Sequence, residues 1–158
     1  MVDMIEKVES FVKMSAVEVF STMLSLDLEE VETSAVADQE QLAGSVGFTG
    51  DLNGVVYLMS NAAFVQSLTR RMLGFEQEDE CDDSLVFDTL GELTNMVVGN
   101  TKSRMSSYSV NCVLTVPSVV KGHRFEIESL RFQDHRRLEF KCDGGGLRIE
   151  ILLKKTAE

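Results

Sequence analysis

The chain has 158 residues, 44% of them hydrophobic, and a formal net charge of −11. That apolar content suits one folded unit over residues 1–158 and argues against disorder over most of the chain. The negative charge disfavours binding to nucleic acid or to an anionic membrane surface, and favours a partner with a basic face.

In chain order, Val2 to Ser25 is expected to form a long amphipathic helix, because Ile5, Val8, Phe11, Val12, Phe20, Met23 and Leu24 recur at helical spacing. Asp3, Glu6, Lys7 and Glu9 interrupt its apolar residues, so the start does not read as a signal peptide. No run is long enough to span a bilayer, and a cytoplasmic location without membrane insertion is expected. Asp27 to Gly44 reads as an acidic loop with a short strand around Val31 to Val36.

Ser45 to Thr49 and Val55 to Ser60 alternate like strands about the turn residues Gly50-Asp51-Leu52-Asn53-Gly54. Asn61 is an expected N-cap for a helix over Ala62 to Leu73, with Gly74 as its C-terminal glycine. Glu76 to Asp83 is an acidic run. It reads as a solvated linker that complements the positive end of the next helix, or as a steering element for a basic partner.

A second long helix is expected from Ser84 to about Ser103. The remainder is strand-rich: Val110 to Val116, Arg124 to Phe132, Arg137 to Cys142 and Leu147 to Leu153, with Asp143-Gly144-Gly145-Gly146 closing the last hairpin. This order predicts an α+β fold, long helices packed on a mostly antiparallel sheet, with a faint hint of an internal helix-plus-hairpin duplication.

On an ideal helix at about 100° per residue, Val86, Leu90, Leu93 and Val97 form a core face. Asp88, Glu92, Asn95 and Gly99 cluster within roughly 60° on the opposite side. Gly91 and Gly99 each cost up to about 1 kcal/mol relative to alanine in a helix interior. For Gly99 the two accounts are room for another backbone and tight packing against a neighbouring element.

Two carboxylates at i and i+4 could hold a metal, but Glu92-x-x-Asn95 lacks the histidine of a di-iron motif, and neither His123 nor His135 has a ligand-spaced partner. No resident metal or cofactor is expected. A sugar-cleaving carboxylate pair normally sits in an aromatic-flanked cleft, which the sequence does not show. A carboxamide offers donors and an acceptor in one plane and can orient a water toward phosphorus without titrating. A Glu-x-x-Asn pair alone is most often a solvated face.

The wider pattern is more specific. Asp88-x3-Glu92-x2-Asn95, followed by Pro117, resembles the active-site motif of the CheC/CheX/FliY chemotaxis phosphatases. Gly91-Glu92-Leu93-Thr94-Asn95-Met96 and Thr115-Val116-Pro117-Ser118-Val119-Val120-Lys121-Gly122 also resemble CheX segments, and the order of elements agrees over nearly the full chain.

The resemblance implies a CheX-like phosphatase that hydrolyses the aspartyl phosphate of a phosphorylated CheY-like receiver. Asn95 would orient the attacking water and Glu92 would pair with the receiver's invariant lysine. Asp88 and Gly99 would belong to the partner-binding face, and Pro117 would be structural. Mg2+ is expected in the partner receiver and not in this chain.

CheC-type members carry a second motif on the first helix. Here Met14-x3-Glu18-x2-Ser21 lacks the amide, which leaves the one-site pattern of CheX. CheX-type members also form homodimers in which sheets join across subunits. The competing reading is a non-catalytic binding module for a phosphorylated receiver or a flagellar-switch component.

The other marked residues take plainer readings. Phe48, Phe64, Phe75, Phe87 and Phe125 are expected in the core, as are Met14, Met23, Met59, Met72 and Met96. His123 and His135 are expected to be exposed. Cys81, Cys112 and Cys142 are expected as free, partly buried thiols.

Overall fold

The computed structural model describes residues 4–33, 40–123, 125, 127 and 134–155. Its elements run α1 (Met4–Leu24), β1 (Glu29–Val31), β2 (Glu40–Gly50), β3 (Leu52–Asn61), α2 (Ala62–Leu73), α3 (Asp83–Ser106), β4 (Cys112–Leu114), β5 (Ser118–His123), β6 (Asp134–Cys142) and β7 (Gly145–Lys155). The expected α+β class holds. The described strands form one antiparallel sheet in the order β1-β6-β7-β3-β2-β4, with β5 also paired to β2.

All three helices contribute to a core against the sheet. Ile5, Val8, Val12 and Phe20 of α1, Val65 and Leu68 of α2, and Leu90, Leu93 and Val97 of α3 meet Leu42, Val46 and Phe48 of β2 and Leu147, Ile149 and Ile151 of β7. In each strand these are alternate residues, so a period of two on the sheet faces a period of 3.6 on the helices. Among the described residues, no helix is long and apolar enough to cross a membrane.

Several expectations need correction. The strand expected around Val31 to Val36 is instead Glu29–Val31; Glu32 and Thr33 form a bend, and residues 34–36 lie outside the described residues. Apart from residues 125 and 127, so does the strand expected over Arg124 to Phe132. Asn61 stands at the N-cap of α2, but its side chain makes no capping hydrogen bond. Gly74 does close α2 in the left-handed region, at φ 71°.

Met14 and Met23 lie outside the core, 49% and 44% exposed, and Phe75 is 39% exposed. The helix-facing stripe of α1 is already filled by Ile5, Val8, Val12, Ala16, Val19 and Phe20. His135 is not a free surface imidazole, because its Nε2 lies 2.7 Å from Oε1 of the fully buried Glu150. The three cysteines are free; Cys112 and Cys142 are buried.

One contact sets the position of α3. A Cβ on Gly44 of β2 would run into the Thr94 hydroxyl and lie 3.2 Å from Leu90 Cγ. The absence of that side chain lets α3 settle directly onto β2. Thr94 is itself fully buried, and its hydroxyl donates to the Leu90 carbonyl at 2.7 Å.

Beside Gly44, the edge of the sheet runs as two short strands along β2. β4 pairs with Phe48 to Gly50 and β5 with Glu40 to Ser45. Pro117, which has no N–H for a ladder, sits at the break. Thr115 bridges the gap: its amide donates to the Gly47 carbonyl at 2.9 Å, and its hydroxyl accepts from the Gly47 amide at 2.8 Å. At the far end, Lys121 Nζ lies 3.4 Å from both Asp83 at the start of α3 and Glu40 of β2.

Two outcomes follow. Gly44→Ala is expected to cost about 1–3 kcal/mol, because the methyl group overpacks the α3–β2 contact. Urea unfolding at unchanged m-value reads this, and a midpoint equal to wild type would contradict the close approach. The charges of Asp83 and then Glu40 hold the Lys121 ammonium above the usual lysine value of 10.5. A group whose folded-state pKa is raised contributes fully below its unfolded value and loses that contribution as pH rises through the folded one. The stability gap between wild type and Lys121→Met should therefore persist at neutral pH and close above about 10.5; a gap independent of pH would remove the ion pairs as its cause.

Candidate functional site

The site is built on α3. Asp82 caps the helix by accepting from the Leu85 amide at 2.9 Å, and Asp83 lies in the first turn, where negative charge is favoured. The acidic run thus ends in a cap. The helix is wedged between α1, α2 and the sheet, so ten of its residues are buried, threonines 89, 94 and 101 among them.

What remains outside is the face expected from the sequence. Asp88 and Glu92 are exposed, and Asn95 and Gly99 are half-buried. Among the described residues, no hydrogen bond or ion pair engages the side chains of Asp88, Glu92 or Asn95. Neither Glu92 nor Asn95 is spent on the chain's own core. A Cβ on Gly99 would meet nothing within 4 Å, which removes the tight-packing account of that glycine.

Next to Glu92 lies a shallow depression of about 460 Å³, lined by Phe87, Asp88, Gly91, Glu92, Pro117 and Val119. The edge strand supplies one wall. Val119 pairs with Gly44, so the register that seats α3 also aims Val119 at the helix. Pro117, expected as structural, therefore also lines the site. Gly91 was legible in the sequence as an odd helix glycine. Phe87 was expected in the core and Val119 only as part of the Thr115–Gly122 segment, because only the packing of β5 beside α3 brings the two together.

The related pattern on α1 is placed differently. Glu18 forms an ion pair with Arg104 of α3, whose Nε also donates to the buried Ser15 hydroxyl at 3.2 Å. Met14 and Ser21 are exposed. The Glu18 carboxylate is thus tied within the chain, and among the described residues those of Asp88 and Glu92 on α3 are not. Among the described residues, no group of three or more His, Cys, Asp or Glu side chains gathers as a metal site would require.

A family model described as "Chemotaxis phosphatase CheX" matches residues 42–140, which carry α3, Pro117 and most of the sheet. A comparison with curated proteins finds no significant match. Among solved structures, the chain resembles the chemotaxis protein CheX of Vibrio vulnificus at 24% identity and a TM-score of 0.80, covering 94% of this chain and 97% of that one. A CheC-like superfamily protein of Shewanella sp. PV-4 aligns at 25% identity and a TM-score of 0.78, over 93% and 97% of the two chains. A CheX-CheY-BeF3-Mg+2 complex from Borrelia burgdorferi aligns at 18% identity and a TM-score of 0.74, over 98% and 100%. With a matched region that spans well over half of its length, the chain belongs to the CheX family of chemotaxis phosphatases.

Proposed function

We propose that this protein hydrolyses the aspartyl phosphate of a phosphorylated CheY-like receiver. The observation that carries the reading is the pair Glu92 and Asn95. They stand one turn apart on the outer face of α3, and neither has a side-chain partner among the described residues. A half-buried amide beside an exposed carboxylate, held on a helix that the core immobilises, suits insertion into a partner's site. The family's description as a phosphatase and the CheX-CheY complex of a structural neighbour support the same class of partner.

In this reading the Asn95 carboxamide holds a water in line with the phosphorus. The water oxygen bonds to phosphorus as the acyl P–O bond breaks. The aspartate leaves as carboxylate, and inorganic phosphate carries away the water's protons. Glu92 pairs with the receiver's lysine and fixes the register, with Asp88 adding negative charge on the same face. Gly99 leaves room for the partner's backbone. Magnesium belongs to the receiver, and the reaction takes place in the cytoplasm, where chemotaxis receivers act.

Dephosphorylation of a receiver charged by a small phosphodonor tests this. A substoichiometric amount of the wild-type chain should accelerate loss of phosphate. Asn95→Ala should return the rate close to spontaneous, a loss of about 2–4 kcal/mol of transition-state stabilisation. Glu18→Gln should keep most of the activity, since Glu18 faces Arg104 and not the partner. Protection of the phosphate, or no turnover with any receiver, would make the protein a binding module instead.

The sheet edge supports assembly as a homodimer. Among the described residues β5 has a strand on one side only, and Val113, Val116 and Val120 along this edge are 68%, 84% and 54% exposed. Paired edges would satisfy the free backbone groups and cover these valines. Sedimentation equilibrium should give a mass twice 17.6 kDa. A mass of one chain at micromolar concentration would argue against this assembly.

A further inference from the structure

A cavity of about 410 Å³ lies at the C-terminal end of α2 and shares no lining residue with the depression beside α3. One stripe of α2 contributes Phe64, Ser67, Leu68 and Arg71, which stand at helical spacing. The Phe64 wall is seated on β7, because a Cβ on Gly145 would run into the Phe64 ring. Gly74 then reverses the chain at φ 71°, and the Phe75 amide donates to the Arg70 carbonyl at 2.8 Å. That reversal brings Phe75 to the same cavity, which it lines while 39% exposed.

The two arginines of the last turn are used differently. Arg71 is spent within the chain: Nη1 donates to the Leu24 carbonyl at 3.1 Å, and Nη2 lies 3.5 Å from Oδ2 of Asp143. Arg70 Nε donates to the Asp79 carbonyl at 2.8 Å, which tethers the guanidinium, yet among the described residues Arg70 forms no ion pair. Glu80 and Asp82 line a neighbouring depression with Arg70, and neither pairs with it. Both arginines complement the negative end of α2, which accounts for their charge. It does not account for an open space with two aromatic walls beside a tethered guanidinium.

The chemistry of the cavity selects a ligand. Phe64 and Phe75 suit a flat apolar body, and the planar fork of a guanidinium matches a carboxylate. The charge balance limits that ligand to a single negative charge. One guanidinium without an ion pair is available, and Asp143, Glu80 and Asp82 would repel a second charge. We infer that this cavity binds an aromatic monocarboxylate, with its ring against Phe64 and Phe75 and its carboxylate on Arg70. The volume lies in the range of small-molecule sites, and Gln77 adds an amide that can hydrogen-bond the ligand.

The probe is indoleacetate, a flat ring system with one carboxylate, titrated into the full chain and followed by heteronuclear NMR and calorimetry. Binding should saturate with a Kd of about 1 mM or tighter, the level for a ligand of this size, with shifts centred on α2, Gly74 and Phe75. Tryptophol, which carries an alcohol in place of the carboxylate, should bind about tenfold more weakly. This comparison needs no variant. Arg70→Gln keeps an N–H donor for the Asp79 carbonyl and should remove the discrimination, so that acid and alcohol bind alike. Phe75→Ala should weaken both ligands severalfold.

Adenosine monophosphate, whose phosphate carries a charge of about −1.5 to −2, should bind more weakly than indoleacetate. Tighter binding of the nucleotide would overturn the monocarboxylate assignment. Absence of saturation at about ten times the expected Kd, equal affinity for acid and alcohol, or a discrimination that survives Arg70→Gln would overturn the inference. None of these outcomes bears on the phosphatase reading, whose residues lie on α3.

Discussion

The close approach of α3 to β2 at Gly44 is the constraint on which the rest of the site depends. A helix normally stands about 10 Å from a sheet because side chains fill the gap. Here one strand residue without a Cβ lets the Leu90–Thr94 turn rest against the strand itself. Glu92, within that turn, and Asn95, just after it, are carried on its other side. Their position relative to the edge strand is therefore fixed by backbone proximity and not by flexible side chains. The Gly44–Val119 pairing then brings the edge strand to the same turn, so one register determines both walls of the depression.

The two long helices make an instructive contrast. α1 and α3 pack side by side, and each carries a carboxylate followed three residues later by a short polar side chain. On α1 the carboxylate is consumed by Arg104, which reaches across from α3 and also binds Ser15. On α3 the equivalent carboxylate is exposed and forms no ion pair among the described residues. Of these two faces, the carboxylates left without an ion pair among the described residues are therefore Asp88 and Glu92 of α3 and not Glu18 of α1.

The same surface shows where function departs from stability. Each glycine in the interior of α3 weakens the helix, and neither Gly91 nor Gly99 is required by contacts with the described residues. The helix tolerates them because nine other buried residues hold it in place from three sides. Its stability comes from packing and not from propensity, which leaves the outer face free to carry residues chosen for a partner.

The sequence by itself determined the α+β class, the core faces of the long helices, the left-handed glycine after α2, and the face carrying Asp88, Glu92, Asn95 and Gly99. These rest on local periodicity, on glycine's access to positive φ, and on motif spacing, all of which act over one or two turns. The tertiary structure alone decided that β5 begins just after Pro117, that Phe87 and Val119 join Glu92 around one depression, that Glu18 is tied to Arg104, and that His135 lies against Glu150. Those facts depend on which strand pairs with which and on how closely a helix can settle on it, and such long-range contacts leave no trace in the periodicity of any single segment.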